Sequence, residues 1–100
     1  MNTIYVNYAN ARAQARNLQS AASECAEVAR NLRMALEQSS YAWEGEAADA
    51  FRSAVRRRLQ ETQQMENTAR ALAQQILRVV EDLEEAERRV KNQIGSMGGR

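Results

Sequence analysis

From Leu18 onward the apolar residues recur in groups of three: Leu18, Ala21 and Ala22, then Cys25, Val28 and Ala29, then Leu32, Ala35 and Leu36. Steps of three, four and seven keep them on one side of an α-helix, because residues that far apart stack along one face. The pattern returns as Ala69, Leu72 and Ala73, then Ile76, Val79 and Val80, then Leu83 and Ala86, and thins out at Val90 and Ile94. Glu87 and Gln93 are polar exceptions near its end. Proline is absent, and three of the four glycines lie in the last six residues, so Gly45 is the only interior residue that strongly disfavours helix. The spacing predicts an extended arm over about 1–7, β-branched and aromatic at Thr3-Ile4-Tyr5-Val6, and a first helix over about 8–40 capped by Asn7 or Asn10. A turn over about 41–46, a second helix over about 46–94 and a flexible tail over 95–100 follow. The fold class is all-α, a single hairpin of two long antiparallel helices.

Two apolar positions per heptad would suffice against one neighbouring helix; three make a wider stripe that asks to be covered from two sides. A hairpin supplies one neighbour only. The stripe residues Leu18, Ala22, Cys25, Ala29, Leu32, Leu36, Leu72, Ile76, Val79 and Leu83 are therefore read as core and dimer positions together. The wider stripe is rich in alanine, at Ala21, Ala22, Ala29, Ala35, Ala69, Ala73 and Ala86, so partner backbones can come close while each residue buries little area, and stability has to come from length and from a second molecule.

The stripe weakens at Arg56-Arg57-Arg58, where heptad spacing from Phe51 and Val55 to Met65 puts Arg58 and Thr62 at core positions. They read either as a solvated, snorkelling stretch or as an ion-pair contact that sets partner choice. The acidic stretch Glu81 to Glu87 precedes Arg88, Arg89 and Lys91, which suits the helix dipole and allows Glu84 to pair with Arg88 and Glu87 with Lys91.

Charge narrows the function. Fourteen basic and thirteen acidic residues leave a net charge of +1, which gives little long-range attraction to nucleic acid or anionic lipid. The arginines are diluted by acids and have no interleaved aromatics, so nucleic acid is not an expected partner. With no histidine and one cysteine the chain cannot build a His/Cys zinc site, a histidine-dependent nucleophile or an internal disulfide. No catalytic residue, metal or cofactor is expected, and Glu44, Glu46 and Asp49 read as favourable charge at a helix N-terminus. No apolar run is long enough to span a membrane, and the opening residues lack the basic cluster and apolar run of a secretory signal peptide. Membrane contact is not expected. Cys25 reads as a packed thiol; pairing of two first helices about an axis near Ala22 to Cys25 would bring two copies of it together.

Three of the five aromatic residues, Tyr41, Trp43 and Phe51, cluster around the turn. Trp43 serves either as a hydrophobic plug for the open end of the hairpin or as a partly exposed contact, and the two roles are compatible. The segment Trp43-Glu44-Gly45-Glu46-Ala47-Ala48-Asp49-Ala50-Phe51, at the midpoint of a chain of 100 residues, resembles the WXG family of type VII secretion substrates, the early-secreted-antigen type. The resemblance covers the whole chain. It implies a hairpin that dimerises into an antiparallel four-helix bundle, cytoplasmic before export and then secreted or at the cell surface of Gram-positive bacteria. It also implies export by a membrane ATPase without a cleaved signal peptide, with Trp43, Gly45 and Phe51 marking the turn motif.

Many members of that family carry a Tyr-x-x-x-Asp/Glu export element after the second helix. Here Tyr5, Tyr8 and Tyr41 all precede the turn, and Leu83 with Glu87 keeps the spacing without the tyrosine. The partner the resemblance implies is a second copy, a related chain or the helical domain of an effector, with the chain acting as cargo or as targeting chaperone. The alternative from residue pattern alone is an intracellular coiled-coil adaptor unrelated to secretion.

Overall fold

The computed structural model describes residues 7–98, so the arm expected over about 1–7 lies outside the described residues except for Asn7. Helix α1 spans Tyr8–Ala42 and helix α2 spans Glu46–Gly98. The expected all-α hairpin is what forms. Asn7 starts α1: its backbone is extended, its Oδ1 accepts the Asn10 N–H at 3.0 Å, and its carbonyl accepts the Ala11 N–H at 3.0 Å. One orphan donor of the first turn is thereby satisfied. At the other end Trp43 leaves the helix with φ −130° and ψ 119°, and Gly45 takes φ +109°, a region that L side chains rarely adopt. Its carbonyl then accepts the Asp49 N–H at 3.0 Å to open α2, whose first turn carries Glu46 and Asp49.

The helices meet through alanine. Ala15, Ala22 and Ala29, seven residues apart on α1, are buried, as are Ala48, Val55, Ala73 and Val80 on α2, and among the described residues no large side chain is fully buried. Leu18, Cys25, Leu32, Leu36 and Ile76 are half-buried beside them. Small residues let the backbones approach, and the result is a thin rod: its extents are 83 × 22 × 14 Å and its radius of gyration is 23.2 Å, against about 13 Å for a compact 100-residue domain. Only one face of each helix is used up by this contact.

Two local expectations change, the tail and the pairing of Glu84 and Glu87. The region 95–100 was expected as a flexible tail, but α2 continues as helix through Gly95, Ser96 and Met97 to Gly98; extending a formed helix costs only about 1 kcal/mol per glycine, far less than starting one. Glu84 does not turn to Arg88: it pairs with Arg12 of α1 at 2.5 Å, while the local acidic–basic contact there is Glu85 with Arg89 at 4.0 Å. Glu87 faces Tyr8 rather than Lys91. Arg58 follows the solvated reading and stays out of the contact with α1. It is exposed and meets Glu61 at 3.4 Å, while Leu59 and Thr62 are the half-buried residues there. The Thr62 hydroxyl donates to the Arg58 carbonyl at 2.8 Å, so this half-buried hydroxyl is paired within its own helix.

Candidate functional site

Two surfaces stand out, the turn at one end and an apolar row along the side. At the turn the Trp43 indole lies on the Phe51 ring, with centroids 5.2 Å apart and planes tilted by 48°. This tilted contact is favourable for aromatic quadrupoles. Trp43 is 41% and Phe51 38% exposed, so the pair both closes the end of the hairpin and shows an aromatic surface to solvent. Tyr41 beside them is largely exposed.

Arg52 holds this end together, and nothing in the sequence pattern marked it. Its Nη1 donates to the carbonyls of Ser39 at 2.9 Å and Trp43 at 3.1 Å, and its Nη2 donates to Asp49 Oδ1 at 3.2 Å. Its side chain is only 15% exposed. The last turn of α1 has no basic residue of its own, so the guanidinium of α2 serves its C-terminal carbonyls instead. The signal that could have found it is a long cation nearly two turns into the second helix, facing a helix end without one.

Along the side, the stripe residues divide. Ala22 and Ala29 face the opposite helix and are buried, and Leu18, Cys25, Leu32, Leu36 and Ile76 are half-buried. Leu72 at 44% and Val79 at 55% stay exposed, together with Val28, Leu83 and, at 61%, Met65. Open grooves run along this side, one lined by Leu18, Met65, Ala69 and Leu72 and the next by Ala21, Cys25, Val28 and Met65. They are shallow and apolar. The arrangement suits contact with another helix and does not bring acid and base groups together over an enclosed cavity.

At the end opposite the turn, Arg12 pairs with Glu84, and the Tyr8 phenol faces Glu87 and Glu84. Desolvation first, then the charge of Glu87, its hydrogen bond and the charge of Glu84, raise the Tyr8 pKa above the ordinary phenol value. Leu83 and Glu87, which keep the export-element spacing, are both exposed on α2. Among the described residues no group of three His, Cys, Asp or Glu side chains could hold a metal ion, and no helix is long and apolar enough to cross a membrane.

Neither a curated protein nor a solved structure matches the chain. The family model WXG100, described as proteins of 100 residues with WXG, matches residues 3–88, which includes the Trp43-Glu44-Gly45 turn, all of α1 and most of α2. Proteins of this family are small helical secretion substrates that typically pair with related partners. A match of that extent, on a hairpin with Trp43 and Gly45 at its reversal, places the chain in the WXG100 family of type VII secretion substrates.

Proposed function

We propose that this chain is a non-enzymatic binding module of a type VII secretion system, which pairs lengthwise with a second helical hairpin and travels as a dimer, as cargo or as the targeting partner of an effector. The observation that carries this reading is the exposed apolar row Met65, Leu72 and Val79, flanked by open apolar grooves, on a rod already closed by a Trp-x-Gly turn. Such a row, continuous over several turns, is the kind of surface that a partner helix buries. The turn is the end the secretion ATPase meets: Trp43 and Phe51 offer a rigid aromatic contact, and Gly45 with Arg52 sets its direction.

The opposite end supports export without a tyrosine in α2. Tyr8 of α1 faces Glu87 of α2, so a phenol and a carboxylate stand together across the two helices where many relatives place both on one. In this reading Tyr8 takes the part that Leu83 cannot. Deleting the secretion ATPase in the native host should remove the protein from culture fluid, and unchanged export would overturn the assignment. Tyr8→Phe should reduce export while leaving dimer formation intact.

A further inference from the structure

The side of α2 that packs on α1 follows two series of positions seven apart. One runs Ala48, Val55, Thr62, Ala69 and Ile76, the other Arg52, Leu59, Glu66, Ala73 and Val80, and every member is buried or half-buried. Continued by sevens, the first series reaches Leu83 and Val90 and the second Glu87 and Ile94. Val90 and Ile94 thus keep the two seam positions, drifting by no more than about 20° per heptad, yet they are 53% and 64% exposed. The reason is that α1 has ended. Tyr8 stands level with Glu87 and Arg12 with Glu84, so Asn7 comes level with about Arg88, and the rest of α2 runs on to Gly98 without a mate. At about 1.5 Å per residue this overhang is about 15 Å long.

The direction of the chain points to what covers it. The helices are antiparallel, so the residues before Asn7 leave α1 toward the C-terminal end of α2, and Asn7 itself is extended, with φ −89° and ψ 94°. An extended chain advances about 3.3 Å per residue, which gives residues 1–6 a reach of about 20 Å, enough to follow the overhang to Gly98. In such a chain Ile4 and Val6 share one side and stand about 6.6 Å apart. Val90 and Ile94, four apart on a helix, stand about 6 Å apart along its axis. The two apolar pairs therefore match in spacing as well as in order. Residues 1–6 carry no charged side chain, so laying them on an apolar seam buries no side-chain charge.

We infer that residues 1–6 form a strap along the overhang of α2, with Val6 on Val90 and Ile4 on Ile94. The strap carries the seam between the two helices past the start of α1, next to the place where Tyr8 faces Glu87. Another helix reaches Val90 and Ile94 only by displacing it. The lengthwise pairing proposed above uses Met65, Leu72 and Val79, so neither proposal depends on the other.

The test uses the full chain with Cys25→Ser, so that no native thiol competes. Under mild oxidation I4C/I94C should close a disulfide within one chain about tenfold faster than I4C/N92C, because Asn92 lies at nearly the same height on the opposite side of α2 and only a seated arm distinguishes the two. Mass spectrometry separates one-chain from two-chain products. In the otherwise native chain, I4N/V6N should speed amide hydrogen exchange over residues 90–97 by about tenfold while leaving residues 73–80 unchanged, since the strap protects only the end it covers. Equal closure rates for the two cysteine pairs, or exchange over 90–97 that I4N/V6N does not alter, would each overturn the inference. A product of two-chain mass whose yield rises with concentration would give this part of the seam to a second copy and overturn it as well.

Discussion

The two ends of the rod are built on opposite principles. At the turn, polar and aromatic contacts converge: Arg52 ties Ser39, Trp43 and Asp49 together, Trp43 packs on Phe51, and Gly45 supplies the backbone reversal. Through the middle and toward the far end, the helices touch through Ala15, Ala22, Ala29, Ala73 and Val80 and leave larger residues such as Leu72 and Val79 outside. The turn is complete within one chain, whereas the body leaves large apolar side chains exposed along its length. The difference shows how one small domain can pack its reversal within itself and still leave a long apolar side open for the partner proposed above.

The largest expected effect comes from the alanine contact. Ala22→Phe puts a ring where the side chain is wholly buried against α2, and it should lower unfolding free energy by roughly 3 kcal/mol or prevent folding. Thermal melts followed by circular dichroism would check this. The same change at exposed Ala21 should cost far less in the hairpin, which separates inner from outer positions of the stripe.

At the turn, Gly45→Ala meets no neighbouring atom, so any loss is backbone strain alone, about 1–2 kcal/mol by denaturant unfolding. Arg52→Ala leaves two carbonyls without their charged donor and should cost about 1–2 kcal/mol. It should also raise acrylamide quenching of Trp43, the only tryptophan, under conditions where the chain stays folded. A loss of stability without a change in quenching would mean that Arg52 does not hold the indole in place.

How much of this was visible in the chain depends on the range of the contact. The two rods, the reversal at Gly45 and the stripe follow from heptad spacing and one glycine, both of which are local signals. The stripe did not reveal which of its three positions faces the hairpin's own mate: Ala22 and Leu72 look alike in a heptad, but one is buried and the other is not. Arg52 was invisible because its partners lie across the turn, nine and thirteen residues away, where periodicity carries no information. Glu84 has a basic residue four positions on, as many surface acids do, yet the pairing with Arg12 depends on how the helices align. The helical Gly95 to Gly98 segment shows propensity outweighed by a long helix already in place.

Smaller effects belong to the far end. Arg12→Ala removes an ion pair whose members are about 40% and 28% exposed, and should cost under about 1 kcal/mol, less still at high salt. Tyr8 has its pKa raised in the folded chain, so the folded state holds that proton more tightly than the unfolded one. Stability should therefore be intact below the ordinary phenol pKa and fall as pH rises through it, and Tyr8→Phe should remove that part of the alkaline loss.

The central claim is that this hairpin leaves apolar surface that only a second helical molecule can cover. Small-angle scattering of the purified full chain over a concentration series measures mass and shape together. The account predicts twice the chain mass at micromolar concentration, in a particle still at least as long as the 83 Å rod and thicker in cross-section. A particle of single-chain mass at the highest concentration, with a compact radius of gyration, would contradict it.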